Sequence, residues 1–266
     1  MRTNFCILCL LAVNAFATED IFKNEFEQNI AIRVSQSELV DPHLFVNLLG
    51  LFCTDVTSDV NDEVQTSLTT DGDNDGFIDS NSLTQFSTDQ PAYITSRNLT
   101  VDLIDANCAD PLFSEACVVN QVLQQDIATD FNVAASCLQA YANTTGSYTP
   151  AVNSTLGPCY STAPINTVVT IAGVDVDFKG YQQASRYPGV LSLDLGLTLG
   201  FISEADADTV IFPDDTPVVG GETLSSLLPG GTGNCSSNDD RDFFTDGVTL
   251  GWWFYFNTAS DLVELN

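Results

Sequence analysis

The chain has 266 residues, of which 36 are acidic and 7 basic, for a formal net charge of −29. A nucleic-acid backbone and an anionic membrane surface both require a basic face, so this charge argues against either partner. Hydrophobic residues make up 44% and charged residues only 16%, which is too apolar for a disordered acidic tail and enough for a large core.

Residues 1–17 read as a secretory signal. Arg2 supplies the positive start, Phe5 to Val13 the apolar run, and Ala15-Phe16-Ala17 the small-residue cleavage site. Thr18, Glu19 and Asp20 turn acidic directly afterwards. The run is too short to span a bilayer, and no later segment is long and apolar enough to do so. Residues 18–266 then form a single secreted domain, with a helical and calcium-loop part at about 18–160 and a β part at about 161–266.

Residues 42–53 are an apolar stretch of undecided type. Residues 59–68 predict a short helix, with Asp59 as N-cap and Val60, Val64 and Leu68 on one face. The next segment carries the chemistry. It reads Asp71-Gly-Asp73-Asn-Asp75-Gly76-Phe77-Ile78-Asp79. Calcium takes six to eight oxygens, and carboxylates at alternate positions can wrap one ion if the chain turns sharply, which Gly76 permits. Asp71, Asp73 and Asp75 are expected to offer side-chain oxygens, Phe77 its carbonyl, and Asp79 a direct or water-mediated contact. Ile78 anchors the loop in the core. The stretch resembles the calcium loops of EF-hands, dockerins and thrombospondin type 3 repeats, which share D-x-D-x-D-G. An EF-hand has a bidentate Glu at the twelfth position, where this chain has Ser82. The expected site is therefore structural and weak, with an affinity on the order of 10⁻⁴–10⁻³ M. No helix signal follows the loop.

Residues 114–142 predict the longest helix, capped by Ser114, carrying Val119, Val122, Leu123, Ile127, Phe131, Leu138 and Tyr141 at helical spacing, and stopped at Gly146. From about residue 165 the period becomes two. Val169 and Ile171, then Val174, Val176 and Phe178, predict a hairpin turning at Ala172-Gly173. After a turn at Pro188-Gly189, Leu191, Leu193, Leu195, Leu197, Leu199 and Phe201 alternate as in a half-buried strand. A helix with Leu191, Leu195, Leu199 and Ile202 on one face is the rival reading, and two interior glycines weaken both. Residues 213–221 and 229–233 are loops. Gly247 to Phe256 predict a core strand, with a final strand at Val263 and Leu265. The fold class is α+β and β-rich, with an antiparallel, sandwich-like C-terminal half and a short helical N-terminal and middle part, all braced by disulfides.

Six cysteines remain after the signal: Cys53, Cys108, Cys117, Cys137, Cys159 and Cys235. An even number in an exported chain reads as three disulfides. Ease of loop closure favours Cys108–Cys117 and Cys137–Cys159 and leaves Cys53–Cys235. Zinc is the weaker alternative, because no metal-type Cys/His spacing is present. The lone histidine, His43, comes with no nucleophile motif, and neither a P-loop nor a dinucleotide fingerprint occurs. A glycosidase needs only two carboxylates, which so acidic a chain supplies in excess. Trp252 and Trp253 point to opposite faces of a strand, and an exposed ring would suit a sugar. The clusters Glu204/Asp206/Asp208 and Asp239/Asp240/Asp242/Asp246 are secondary candidates for a cation. The pattern from Leu227 to Cys235, with Asp239 to Asp242 and Gly251 to Tyr255, resembles exported bacterial proteins of uncharacterised activity, which implies export alone. The reading is a secreted, calcium-stabilised, non-catalytic protein with a structural role or an extracellular glycan or protein ligand. Its alternative is a carbohydrate-binding module or a carboxylate-based glycoside hydrolase.

Overall fold

A computed structural model of the chain describes residues 29–48, 50–86, 99–109, 116–171, 174–186, 192–214 and 216–265. The proposed signal at 1–17, the cap at Ser114 and the turns at 172–173 and 188–189 lie outside the described residues.

The elements that build the wall are β1 (Asn29–Asp41), β4 (Ser82–Phe86), β5 (Thr100–Cys108), β6 (Ala116–Asn132), β9 (Cys159–Thr162), β11 (Val174–Arg186), β12 (Ser192–Ser203) and β14 (Leu250–Leu265). Each pairs antiparallel with the next, and β14 returns to β1 from Asn29↔Leu265 to Asp41↔Tyr255. The eight strands thus form a closed barrel, and the expected sandwich is corrected. The cause is the length of β1 and β14. Each satisfies the other's free edge over eleven positions, whereas an open sandwich would leave both exposed.

Smaller elements decorate the ring. The apolar stretch at 42–53 is a hairpin of β2 (Phe45–Leu48) and β3 (Phe52–Asp55). Helix α1 (Thr57–Ser67) follows. It starts two residues earlier than expected, with Val56 rather than Asp59 at the N-cap and Thr57 N–H donating to Asp55 Oδ1 at 3.0 Å. Short pairs are β7 (Ser136–Leu138) with β8 (Thr155–Leu156), β10 (Ile165–Ile171) with β11, and β13 (Asp242–Phe243) with β14. Two one-turn helices, α2 (Glu204–Ala207) and α3 (Leu224–Leu227), lie in the loops between β12 and β13.

The long helix expected at 114–142 does not form: β6 and β7 occupy it. Cys117 to Ala128 of β6 lie opposite Thr100 to Cys108 of β5, so twelve residues face nine and three slips in register absorb the excess. Each slip shifts the alternation by one, and the summed pattern imitates helical spacing. Asp126 takes φ +55 at one such irregularity, its N–H held by Asp102 Oδ1 at 2.8 Å. The expectation of a helical first half is corrected with it.

The β10–β11 hairpin forms as read. β12 is the strand reading of the leucine alternation, with one bulge before Gly196 that turns Leu195 out to solvent at φ +44. Leu197, Leu199 and Phe201 face away from the lumen. With Trp253 and Tyr255 they form an outer core, covered by Leu138, Tyr141, Val152 and Phe244. Val263 and Leu265 continue β14 rather than making a separate strand. The inner face carries Val176, Phe178, Ile202, Trp252 and Phe254. Gly200 is needed there: a Cβ would sit 2.5 Å from the Phe178 ring. Gly200→Ala is expected to lower stability by about 1–3 kcal/mol through overpacking, measured as a fall in the denaturant midpoint; an unchanged midpoint would mean that Phe178 can yield.

Three disulfides join Cys53–Cys235, Cys108–Cys117 and Cys137–Cys159, the pairing that loop entropy favoured. They indicate an oxidising compartment. No helix among the described residues is long and apolar enough to cross a membrane.

Candidate metal centre

The 71–79 loop joins α1 to β4 and is held at both ends. Ser80 N–H donates to the Ser67 carbonyl and Asp79 N–H to the Thr70 carbonyl, each at 3.0 Å, which folds the loop back on the end of α1. Ile78 is buried, its N–H donating to the Cys108 carbonyl at 2.8 Å, and Phe77 bridges to Ala109. The loop is thereby pinned beside the Cys108–Cys117 disulfide. Behind it, Arg33 is 1% exposed. Its Nε donates to Asn81 Oδ1 at 2.6 Å, another guanidinium nitrogen donates to the Leu68 carbonyl, and Asn81 Nδ2 donates to the Ile78 carbonyl. One buried guanidinium therefore ties β1, the end of α1 and the loop together.

Within the loop the backbone N–H groups point at carboxylates. Asp71 accepts from Asp75 N–H at 3.0 Å and Gly76 N–H at 2.8 Å, Asp73 from Asp75 N–H at 3.1 Å, and Asp79 from Gly72 N–H at 3.0 Å. Left-handed φ at Asn74 (+63) and Gly76 (+94) gives the sharp curl. Asp71, Asp73 and Asp79 each bring one carboxylate oxygen within 4.8 Å of the others. Oxygens sharing one calcium at about 2.4 Å can be no farther apart than about 5 Å, so this spacing fits a common ion. Asp75 is not part of that cluster; its Oδ1 accepts the Phe77 N–H at 2.8 Å. Ser82, at the twelfth position, begins β4, so the loop runs from helix to strand and is not an EF-hand.

Three acids of the secondary clusters are committed to cations of the chain itself. Asp206 binds Lys179 Nζ at 2.8 Å, and Arg241 bridges Asp239 at 2.8 Å and Glu204 at 3.2 Å. The Arg241 guanidinium holds the Asp239 carboxyl below the usual range. His43 pairs with Asp55 at 2.5 Å and stacks on Tyr148 at 3.7 Å, a bracing contact on the β2–β3 side. Neither tryptophan is at the surface. Trp252 is buried with its indole N–H on the Pro229 carbonyl at 2.9 Å, and Trp253 lies among Tyr141, Phe201 and Phe244. Both rings are packed, so neither offers an exposed platform for a sugar.

Sequence reasoning missed Asp41, which joins Asp240 and Asp242 in a second acidic centre. Asp41 is 3% exposed and accepts the Gly146 N–H at 2.5 Å. Burial, with Asp240 and Asp242 adding repulsion, pushes its carboxyl up to about 7. Burial likewise raises Asp242 to about 6, and Asp240 accepts the Tyr148 hydroxyl at 2.5 Å. Local spacing marks Asp240 and Asp242 but not Asp41, which comes from a distant part of the chain.

No family model, curated protein or solved structure matches the chain. Function is then to be read from the chain's own geometry.

Proposed function

We propose that the chain is an exported protein that binds one calcium ion through Asp71, Asp73 and Asp79, with a structural or ligand-binding role at the cell exterior. The observation that carries this is the approach of those three carboxylates within 4.8 Å on a loop pinned to the end of β5. The ion would fasten together the two ends of the loop that joins α1 to the barrel wall. The three disulfides and the signal-like residues 1–17 support export. The apolar lumen supports a water-soluble barrel, since a barrel that spans a membrane carries polar residues inside and apolar ones outside.

Calcium at about 10 mM should stabilise the fold by about 1–3 kcal/mol if the affinity lies near 10⁻⁴–10⁻³ M. Differential scanning fluorimetry in calcium and in chelator measures this. Asp73→Asn, a change at an exposed residue, should erase the difference. Equal melting in calcium and chelator, or a full response in Asp73→Asn, would refute the site.

A further inference from the structure

We propose that the barrel lumen is a binding site for a small organic cation, taking an apolar group of about six carbons inside with its ammonium at the mouth. This goes beyond the calcium reading and does not depend on it. Eight antiparallel strands make the barrel size whose interior either just fills with side chains or holds one small ligand. Here the interior keeps a cavity of about 150 Å³ lined by Leu39, Val176, Phe178, Ile202, Phe254 and Phe256, among others. An apolar cavity of about that size accommodates benzene. Two of the larger polar groups in its wall are already engaged within the protein: Gln183 Nε2 donates to the Tyr181 hydroxyl at 2.5 Å, and Thr84 donates to Gln183 Oε1 at 3.0 Å. The lumen therefore favours a group that asks for burial and no hydrogen bond.

The cavity adjoins a vestibule of about 920 Å³, and Val64, Ser67, Ser80, Ser82, Val169 and Tyr181 line both spaces. Helix α1 forms one side of the passage, with Val60 and Val64 on the lumen and Glu63 on the vestibule. Glu63 and Asp105 line the vestibule, apart from the proposed calcium ligands, while no Lys, Arg or His among the described residues lines either space. The apolar lumen selects the body of the ligand and the carboxylates select the charge of its head. A fatty carboxylate or a phosphorylated ligand meets repulsion on entry, whereas an ammonium is attracted and steered inward.

Isothermal titration of the full protein in calcium tests this with three probes of one shape: phenethylamine, phenethyl alcohol and hydrocinnamate. The amine should bind one to one with Kd on the order of 10⁻⁴ M. The carboxylate should be at least about tenfold weaker at low salt, with the gap closing as salt rises. Glu63→Gln with Asp105→Asn should weaken the amine by about tenfold and leave the alcohol unchanged. Val176→Phe, which fills the lumen, should abolish all binding; if it does not fold, the rim double variant carries the test. Binding by none of the probes, or carboxylate binding as tight as the amine, overturns the proposal, as does a folded Val176→Phe that still binds. The amine should still bind to Asp73→Asn, so a failed calcium site and a failed lumen site give different results.

Discussion

Removing the Cys53–Cys235 bond, by Ser at both positions, is expected to cost about 5 kcal/mol, the largest loss of any single cross-link in the chain. The bond joins residues 182 apart in sequence, and the chain-entropy account scales with the logarithm of the closed loop. The same relation gives about 3 kcal/mol for Cys108–Cys117, whose separation is 9. The effect should exceed the entropic term alone if the β2–β3 hairpin loosens with it. Thermal melts should show a fall of about 10–20 °C for the long bridge and less for the short one. An equal or smaller loss at the long bridge would show that native contacts already restrain that loop.

Asp41→Asn is expected to stabilise the protein at pH 8 by up to about 4 kcal/mol and to flatten its pH profile. The free carboxyl titrates near 3.8, and the folded one is pushed up to about 7. Between these values the native state holds a proton that the unfolded chain has lost. The stabilisation from this group is thus fully present below about 4 and disappears as pH rises through 7. An Asn amide oxygen can still accept the Gly146 N–H without a charge to bury. Asp242, raised to about 6, adds a smaller decline of the same sign. Asp194 and Asp239, held low by Arg186 and Arg241, act oppositely, and their contribution is lost only as pH falls below the carboxylate range. Urea unfolding of wild type and variant from pH 5 to 8 separates this local effect from the general repulsion of a net charge of −29. Parallel profiles would refute the assignment to Asp41.

The parts of the fold that were legible in the sequence are those set by local rules. The β10–β11 hairpin, β12 and the aromatic start of β14 show the period of two because their inward and outward residues alternate over most of their length. The disulfide pairing followed from loop closure. The Asp71 to Asp79 loop was visible because its candidate ligands lie within nine consecutive residues, although spacing alone did not distinguish Asp75, which holds the Phe77 N–H. What stayed hidden depends on non-local pairing. β6 was mistaken for a helix because its register slips moved Val119, Val122 and Ile127 off strict alternation. β1 went unassigned, its pattern broken by shifts near Ser35 and Val40. Without β1 nothing joins β14 back to β4, so closure could not be foreseen. Neither could the lumen, since β1, α1, β11, β12 and β14 all contribute to its wall.

That last seam also governs how the molecule is made. β1 and β14 lie more than two hundred residues apart in sequence, and their zipper is what seals the ring. Loop-closure entropy delays such distant pairings, so the chain should pass through a slow stage with both long margins bare. During that stage the acidic surplus, of little use to the finished core, keeps neighbouring half-built molecules apart until the final stave is set.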